Sequence, residues 1–271
     1  MKMLQTYLYF LVFSLTLYPV APSVLAQSYP TKKTWQTSQK LKPLVDNQSN
    51  PLAIGAGIRF KPPIDDNPNP PTSGAATRGS SCLEKQVMTP LLPTNKSGLT
   101  FKKYPTFTWH IPPTSVKNAE FVIITDGNQK DGEEKVFYQT TLTLPEKPGI
   151  VSFTLPKTVA PLEVNTTYRW YLTLICDAED YSSNPNIEGL VKRIPAQLPL
   201  LESLAKPNLL QIATSYAQAG IWYDALDLLV KLRCNQPHNP ILKLNWRQFL
   251  DSVELNNIAS EPLVNSCKIK N

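Results

Sequence analysis

TTYRWYLTLIC, residues 166–176, is the stretch whose reading decides the fold. Tyr168, Trp170, Leu172, Leu174 and Cys176 take every second position, and Arg169, Tyr171 and Thr173 fall between them. Ile175 is the one apolar exception. A period of two, rich in aromatic and β-branched residues, describes a half-buried strand whose side chains alternate between two faces. Six further runs have the same character: 86–92, 105–111, 119–125, 134–144, 149–155 and 187–194. Turn residues separate them at Asn95 to Gly98, Pro112-Pro113, Asp126-Gly127, Pro145 to Gly149 and Ser182 to Asn186. Seven short strands with no helical pattern between them predict an immunoglobulin/fibronectin-like antiparallel β-sandwich over 81–196.

Within it, Phe107, Trp109 and Ile111 share one face, and alternation turns His110 away from them. LEVNTTY places Leu162 six residues before Tyr168, a spacing that resembles the sandwich corner in which a tyrosine hydroxyl bonds to upstream backbone.

Outward from this region the pattern changes on both sides. Residues 1–26 carry Lys2, an apolar run from Tyr7 to Leu17, and a Val24-Leu25-Ala26 end, the pattern of a cleaved signal peptide. Pro19 and Pro22 interrupt the run, which is short for a membrane span. Residues 27–80 hold Pro30, Pro43, Pro51, Pro62, Pro63, Pro68, Pro70 and Pro71 among polar residues. Such a segment buries too little apolar surface to offset its ordering entropy and reads as a flexible leader, with Leu52 to Ile58 as a short sticky patch.

Residues 197–271 follow a helical period. Pro207 starts one helix and Gly220 ends it, with Ile212, Ala213, Tyr216 and Ala217 on one face. A second runs from Trp222 to Arg233, with Ala225, Leu228, Leu229 and Leu232 at helical spacing. Asn239 caps a third that has Pro240 in its first turn and is lined by Leu242, Trp246, Phe249, Leu250 and Val253. The hairpin looks like one tetratricopeptide-type repeat through Tyr216, Gly220, Trp222, Ala225, Leu229, Leu232 and Pro237. A single repeat cannot bury its own face, so it is expected to dock elsewhere.

The net charge is +6, from 27 basic and 21 acidic residues, and the basic ones are scattered. That describes a solvated surface, not a nucleic-acid face. Cys82, Cys176, Cys234 and Cys267 form an even set, which in an exported chain reads as two disulfides. Of the three pairings, Cys82–Cys176 with Cys234–Cys267 keeps each bond within one region. A zinc site would need a spacing or a Cys/His cluster that is absent.

Arg78-Gly79 before Cys82, YPTFTWHIP at 104–112, YRWYLTLICD at 168–177, Gly189 to Arg193 and AGIWYDAL at 219–226 together resemble one family. It is the cyanobacterial exported family catalogued only as a domain of unknown function, matched over about 75–260. The resemblance implies a cyanobacterial source and a periplasmic or extracellular place. It implies no reaction, cofactor or catalytic residue. It adds support to the Cys82–Cys176 bond, because both residues sit in matching motifs.

The chemistry-bearing residues are sparse. His110 and His238 are the two histidines, and neither stands beside a nucleophile motif. Asp126 to Glu134 fails the calcium-loop pattern, with Lys130 at the fifth position and Asp131 at the sixth. Asp177, Glu179 and Asp180 form a second acidic group, expected to be an exposed loop. Trp109, Tyr138, Tyr171, Tyr181 and Trp222 are the aromatics able to serve a platform, with core the default for the tryptophans. Tyr171, Arg169, Tyr181 and Asp177 are therefore the candidate binding residues, with no metal or cofactor site. The expected role is a non-enzymatic interaction module of the cell envelope that binds a protein or polysaccharide. The alternative is an envelope hydrolase with a site between sandwich and helices.

Overall fold

The structure, a computed structural model, describes residues 57–63, 82–83, 86–125, 135–196 and 208–267. All fall within one compact unit, Leu52–Asn271. The expected signal peptide, most of the leader, Pro207 and the Asp126 to Glu134 loop lie outside the described residues.

The protein is mainly β, with two sheets followed by three helices. The strands are β1 (Thr89–Pro90), β2 (Ser97–Thr100), β3 (Thr106–Ile111), β4 (Asn118–Thr125), β5 (Val136–Thr143), β6 (Gly149–Thr154), β7 (Thr167–Leu174) and β8 (Asn186–Arg193). One sheet has the order β1-β3-β6 and the other β2-β8-β7-β4-β5. β7 keeps the predicted alternation: Tyr168, Trp170, Leu172 and Leu174 are buried, and Arg169, Tyr171 and Thr173 are half-exposed. Ile175, the exception to the pattern, falls just past the strand's end.

Two expectations about the sheets are corrected. Asn95 to Gly98 is not a turn throughout: the reversal lies at Pro93–Lys96, where Lys96 takes φ 54°, and β2 begins at Ser97. The sheets are not wholly antiparallel either, because β2 pairs with β8 in parallel, Ser97 opposite Leu190. The chain leaves β1 in one sheet and crosses to the edge of the other, so β2 arrives running alongside β8.

The two sheets share one aromatic cluster. Phe107 and Trp109 of β3 contact Phe121 of β4 and Trp170 of β7, with ring centroids 5.0 to 6.1 Å apart. Pairs at these separations add about 0.5–1.5 kcal/mol beyond area burial. At the corner before β7, the Glu163 N–H donates to the Tyr168 hydroxyl at 3.1 Å, as the LEVNTTY spacing predicts. Burial raises the pKa of that phenol.

The helices are α1 (Leu209–Gln218), α2 (Trp222–Asn235) and α3 (Pro240–Asp251). Asn208 and Gln211 form a capping box on α1, and Asn239 accepts from Ile241 N and Leu242 N with Pro240 at the first position of α3. α2 is buried at every position from Trp222 to Asp227. A helix buried on one face would not be, so its first turns pack on two sides. Trp222 Nε1 donates to Leu91 O at 2.8 Å. The Tyr223 hydroxyl donates to Leu190 O at 3.0 Å and accepts from Trp170 Nε1 at 2.8 Å. β2 admits this ring because position 98 is glycine: a Cβ there would stand 2.8 Å from Tyr223 Cε2.

Residues 57–63, expected to belong to the flexible leader, instead lie packed against the helices. Ile58 N donates to Asn245 Oδ1 at 3.1 Å, Phe60 N to Ser252 Oγ at 3.0 Å, and Lys61 N to Ala217 O at 3.0 Å. The Phe60 ring meets Trp222 edge-on at 4.8 Å. Pro63 sits against Gly220, whose φ of 77° and missing Cβ leave room for it. Composition concealed this segment, because two apolar anchors, not average hydrophobicity, hold it.

Two disulfides close the fold, Cys82–Cys176 and Cys234–Cys267. Among the described residues no helix is long and apolar enough to cross a membrane.

Two measurements check this packing. Tyr223→Phe leaves the buried Trp170 Nε1 without its partner and removes a donor from Leu190 O, and urea unfolding is expected to show a loss of about 1–3 kcal/mol. Phe60→Ala is expected to cost about 3–5 kcal/mol in the same assay. A loss under about 0.5 kcal/mol, the scale of a surface change, would show that 57–63 adds nothing to the fold.

Candidate functional site

The odd-numbered side chains of β7 lie on the face of the five-stranded sheet opposite the aromatic core. Register sets their neighbours: Tyr171 stands between Glu188 of β8 and Val122 of β4, Arg169 between Leu190 and Ile124, and Thr173 between Asn186 and Glu120. Glu188 accepts two cations, with Arg169 Nη1 at 3.5 Å and Lys96 Nζ at 3.8 Å. Glu120 takes a hydrogen bond from Gln139 Nε2 at 2.6 Å and another from the Tyr181 hydroxyl.

Tyr181 comes from a single 3-10 turn, Tyr181–Ser183, after β7. It remains 49% exposed while its hydroxyl reaches the sheet. Its pKa is pushed up to about 12, by burial first and the Glu120 carboxylate second. This phenol is therefore neutral and donating at any physiological pH.

Asp177 plays a different part. Its Oδ1 accepts from Asp180 N at 3.0 Å and Glu179 N at 2.7 Å, and these bonds hold its carboxyl below the usual carboxylate range. Asn184, buried, ties the same loop down: Oδ1 accepts from Cys176 N and Asp177 N, and Nδ2 donates to Asp177 O. Asp177 thus shapes the loop that carries Tyr181. Among the described residues no group of three His, Cys, Asp or Glu side chains is placed to hold a metal ion.

The structure brings Arg169, Tyr171 and Tyr181 to one face and adds Lys96, Glu120, Glu188 and Gln139, which the sequence reading did not single out. Their signal is indirect: Glu120, Gln139 and Glu188 occupy outward positions of neighbouring strands and Lys96 ends the turn before β2, a placement visible only once the register is known.

The histidines lie elsewhere. His110 is buried on the second face of β3, with Nε2 3.6 Å from Glu261 Oε2. The hydroxyls in its row bond to one another, Thr108 to Ser152 at 3.1 Å and Thr106 to Thr154 at 2.9 Å. Ser266 Oγ donates to Ile150 O. Nucleophilic catalysis needs a hydroxyl hydrogen-bonded to the base, and these hydroxyls are engaged with each other or with backbone.

Comparison with known families decides the relationship. Residues 73–263 match the family described as Domain of Unknown Function (DUF928). The chain belongs to that family. The match spans both sheets, all three helices and the whole outer face. No curated protein and no solved structure matches the chain.

The buried imidazole sets a pH dependence. Burial lowers the His110 pKa below its ordinary value, and Glu261 opposes that shift only in part. The unfolded chain then binds the proton more readily than the folded one. His110 is expected to contribute stability fully above about pH 6.5, lost as pH falls toward and through the folded value. Urea midpoints measured from pH 7.5 to 5 should fall more steeply for the wild-type chain than for His110→Gln; parallel curves would refute the assignment.

Proposed function

We propose that this member of the family is an exported, non-enzymatic interaction module of the cell envelope. Its ligand surface is the outer face of the five-stranded sheet, and the ligand is an envelope polysaccharide. The observation that carries the reading is Tyr181, about half exposed over the sheet beside half-exposed Tyr171 and Arg169. Aromatic faces stack on the C–H surfaces of sugar rings. Carboxylates and amides such as Glu120 and Gln139 take the hydroxyls. Arg169, held by Glu188, supplies a fixed donor fork. Export is supported by two disulfides, which persist in oxidising compartments, and the amino-terminal 26 residues have the signal-peptide pattern. A cyanobacterial host is inferred from the motif resemblance.

We also read the fold as immunoglobulin/fibronectin-like. The strand groups β1-β3-β6 and β8-β7-β4-β5 and the Tyr168 hydroxyl at the corner before β7 support that reading. The α1–α2 turn is read as tetratricopeptide-like. Its packing against 57–63 supports the repeat's usual need for a covering segment.

The test is retention of the chain on envelope polysaccharide and on detergent-extracted envelope protein from the native host. Polysaccharide binding is expected. Tyr171→Ala and Tyr181→Ala should each weaken it about tenfold or more. Leu209→Ala, on an exposed position of α1, should not change it. Retention on protein alone would assign a protein ligand to the face, and binding indifferent to both tyrosines would remove the face from the account.

A further inference from the structure

Every open sheet ends in edges whose unpaired N–H and C=O groups can recruit another strand, and natural proteins blunt them. Three of the four edges here are blunted. β1 is two residues long and ends in Pro90. β2 is four residues long, with Trp222 and Tyr223 against Gly98 and Asp224 accepting from Phe101 N. β6 is covered at Ile150, which donates to Pro262 O at 2.7 Å and accepts from Val264 N at 2.8 Å.

β5 is different. It closes the five-stranded sheet, and among the described residues it pairs with β4 alone. Its eight residues, VFYQTTLT, contain no charge, no proline and no glycine. Leu144 N donates toward β4, to Lys117 O at 2.8 Å. Alternation then turns the N–H and C=O of Thr143, Thr141 and Gln139 outward. A bulge near Ile123/Ile124 distorts the start of β5, so the regular part of the edge is its second half.

We propose that the β5 edge is a self-association surface: two copies pair antiparallel through it, about a two-fold axis at Thr141. A second copy is the occupant because the edge is complementary to itself. In that register Thr141 faces Thr141 and Gln139 faces Thr143 of the second copy, making about six main-chain hydrogen bonds. Thr–Thr pairs are favourable cross-strand neighbours, and no like charges oppose each other within the strand. A foreign strand chosen by charge would find nothing to recognise, since the protein's positive charges lie off this strand. The contact is isologous, so it closes at a dimer. It joins two five-stranded sheets into one continuous sheet, with both outer faces on the same side. This holds whatever ligand that face takes.

The test uses the disulfide-bonded chain in sedimentation equilibrium. The wild type is expected to show a concentration-dependent monomer–dimer equilibrium. Thr141→Lys and Thr141→Glu should each be monomeric alone, because like charges meet at the axis, and an equimolar mixture of the two should restore a dimer. Far-UV circular dichroism should match wild type for both. Hydrogen exchange at the Gln139, Thr141 and Thr143 amides should slow as wild-type concentration rises. A wild type still monomeric at about 1 mM would overturn the proposal. So would a dimer that survives Thr141→Lys, which would lie on another surface. Amides protected by envelope extract but not by raised concentration would give the edge to a foreign strand and overturn self-pairing.

Discussion

The Tyr223 hydroxyl is the contact on which the rest of the structure depends. It comes from the second position of α2, donates to β8 and accepts from the indole of β7. Its ring packs on Phe107 of β3 at 5.6 Å and over Gly98 of β2. One helical side chain thus touches strands of both sheets, and burial raises its pKa. A fully buried hydroxyl is tolerable only when satisfied, since an unsatisfied buried polar group costs about 1–3 kcal/mol. The Trp170 indole is fully buried and depends on this hydroxyl, and the Leu190 carbonyl is part-buried at the β2–β8 seam.

A second, ionic contact fixes the angle at which α2 enters. Asp224 accepts from Thr100 Oγ1 at 2.7 Å and Phe101 N at 3.0 Å. Its pKa is raised by burial, against which Lys102 acts. Asp227 feels the same burial, yet Lys102 and Lys231 outweigh it and lower its pKa. Lys102 therefore bridges two nearly buried carboxylates from the sheet side. Breaking a buried pair by removing one partner costs more than the pair itself contributes. The helices are in this sense not an appendage: Leu91 O, the Thr100 hydroxyl and Trp170 Nε1 take their hydrogen bonds from them.

How much of this was legible in the sequence follows from what a period can report. The alternation of β7 and the inward face of β3 is legible because each sheet turns one side of these strands to a common core. The caps of α3 and the two disulfides were legible from local chemistry, Asn239-Pro240 and an even cysteine count. Ala225, Leu228, Leu229 and Leu232 make α2 look amphipathic, although Leu228 is only partly buried and the period gives no sign that Tyr223, Asp224 and Asp227 are buried too. A helix buried on two sides has no polar stripe, and buried carboxylates look like solvent-facing ones until their partners are known. β2 was hidden because four residues are too few to show alternation, and Gly98 resembles turn chemistry although it serves close packing. Residues 57–63 were hidden by the prolines around them.

The same alternation separates the core face of β7 from the face for which a binding role is proposed. Trp170 and Leu172 face the core that Tyr223 completes, and Tyr171, between them in sequence, faces outward. A change at an even position disturbs packing at interior density, where a lost methylene is felt. A change at an odd position alters a half-exposed surface, where most substitutions stay within about 0.5 kcal/mol. The outer face is therefore free to vary in chemistry while the fold beneath it stays constant, provided the Asp177–Asn184 loop still holds Tyr181 over Glu120. That loop is tied to the core by Asn184, which is buried, and by the Cys82–Cys176 bond beside it. The outer face thus inherits its rigidity from buried contacts beneath it, which is the condition the proposed role as a preformed binding face requires.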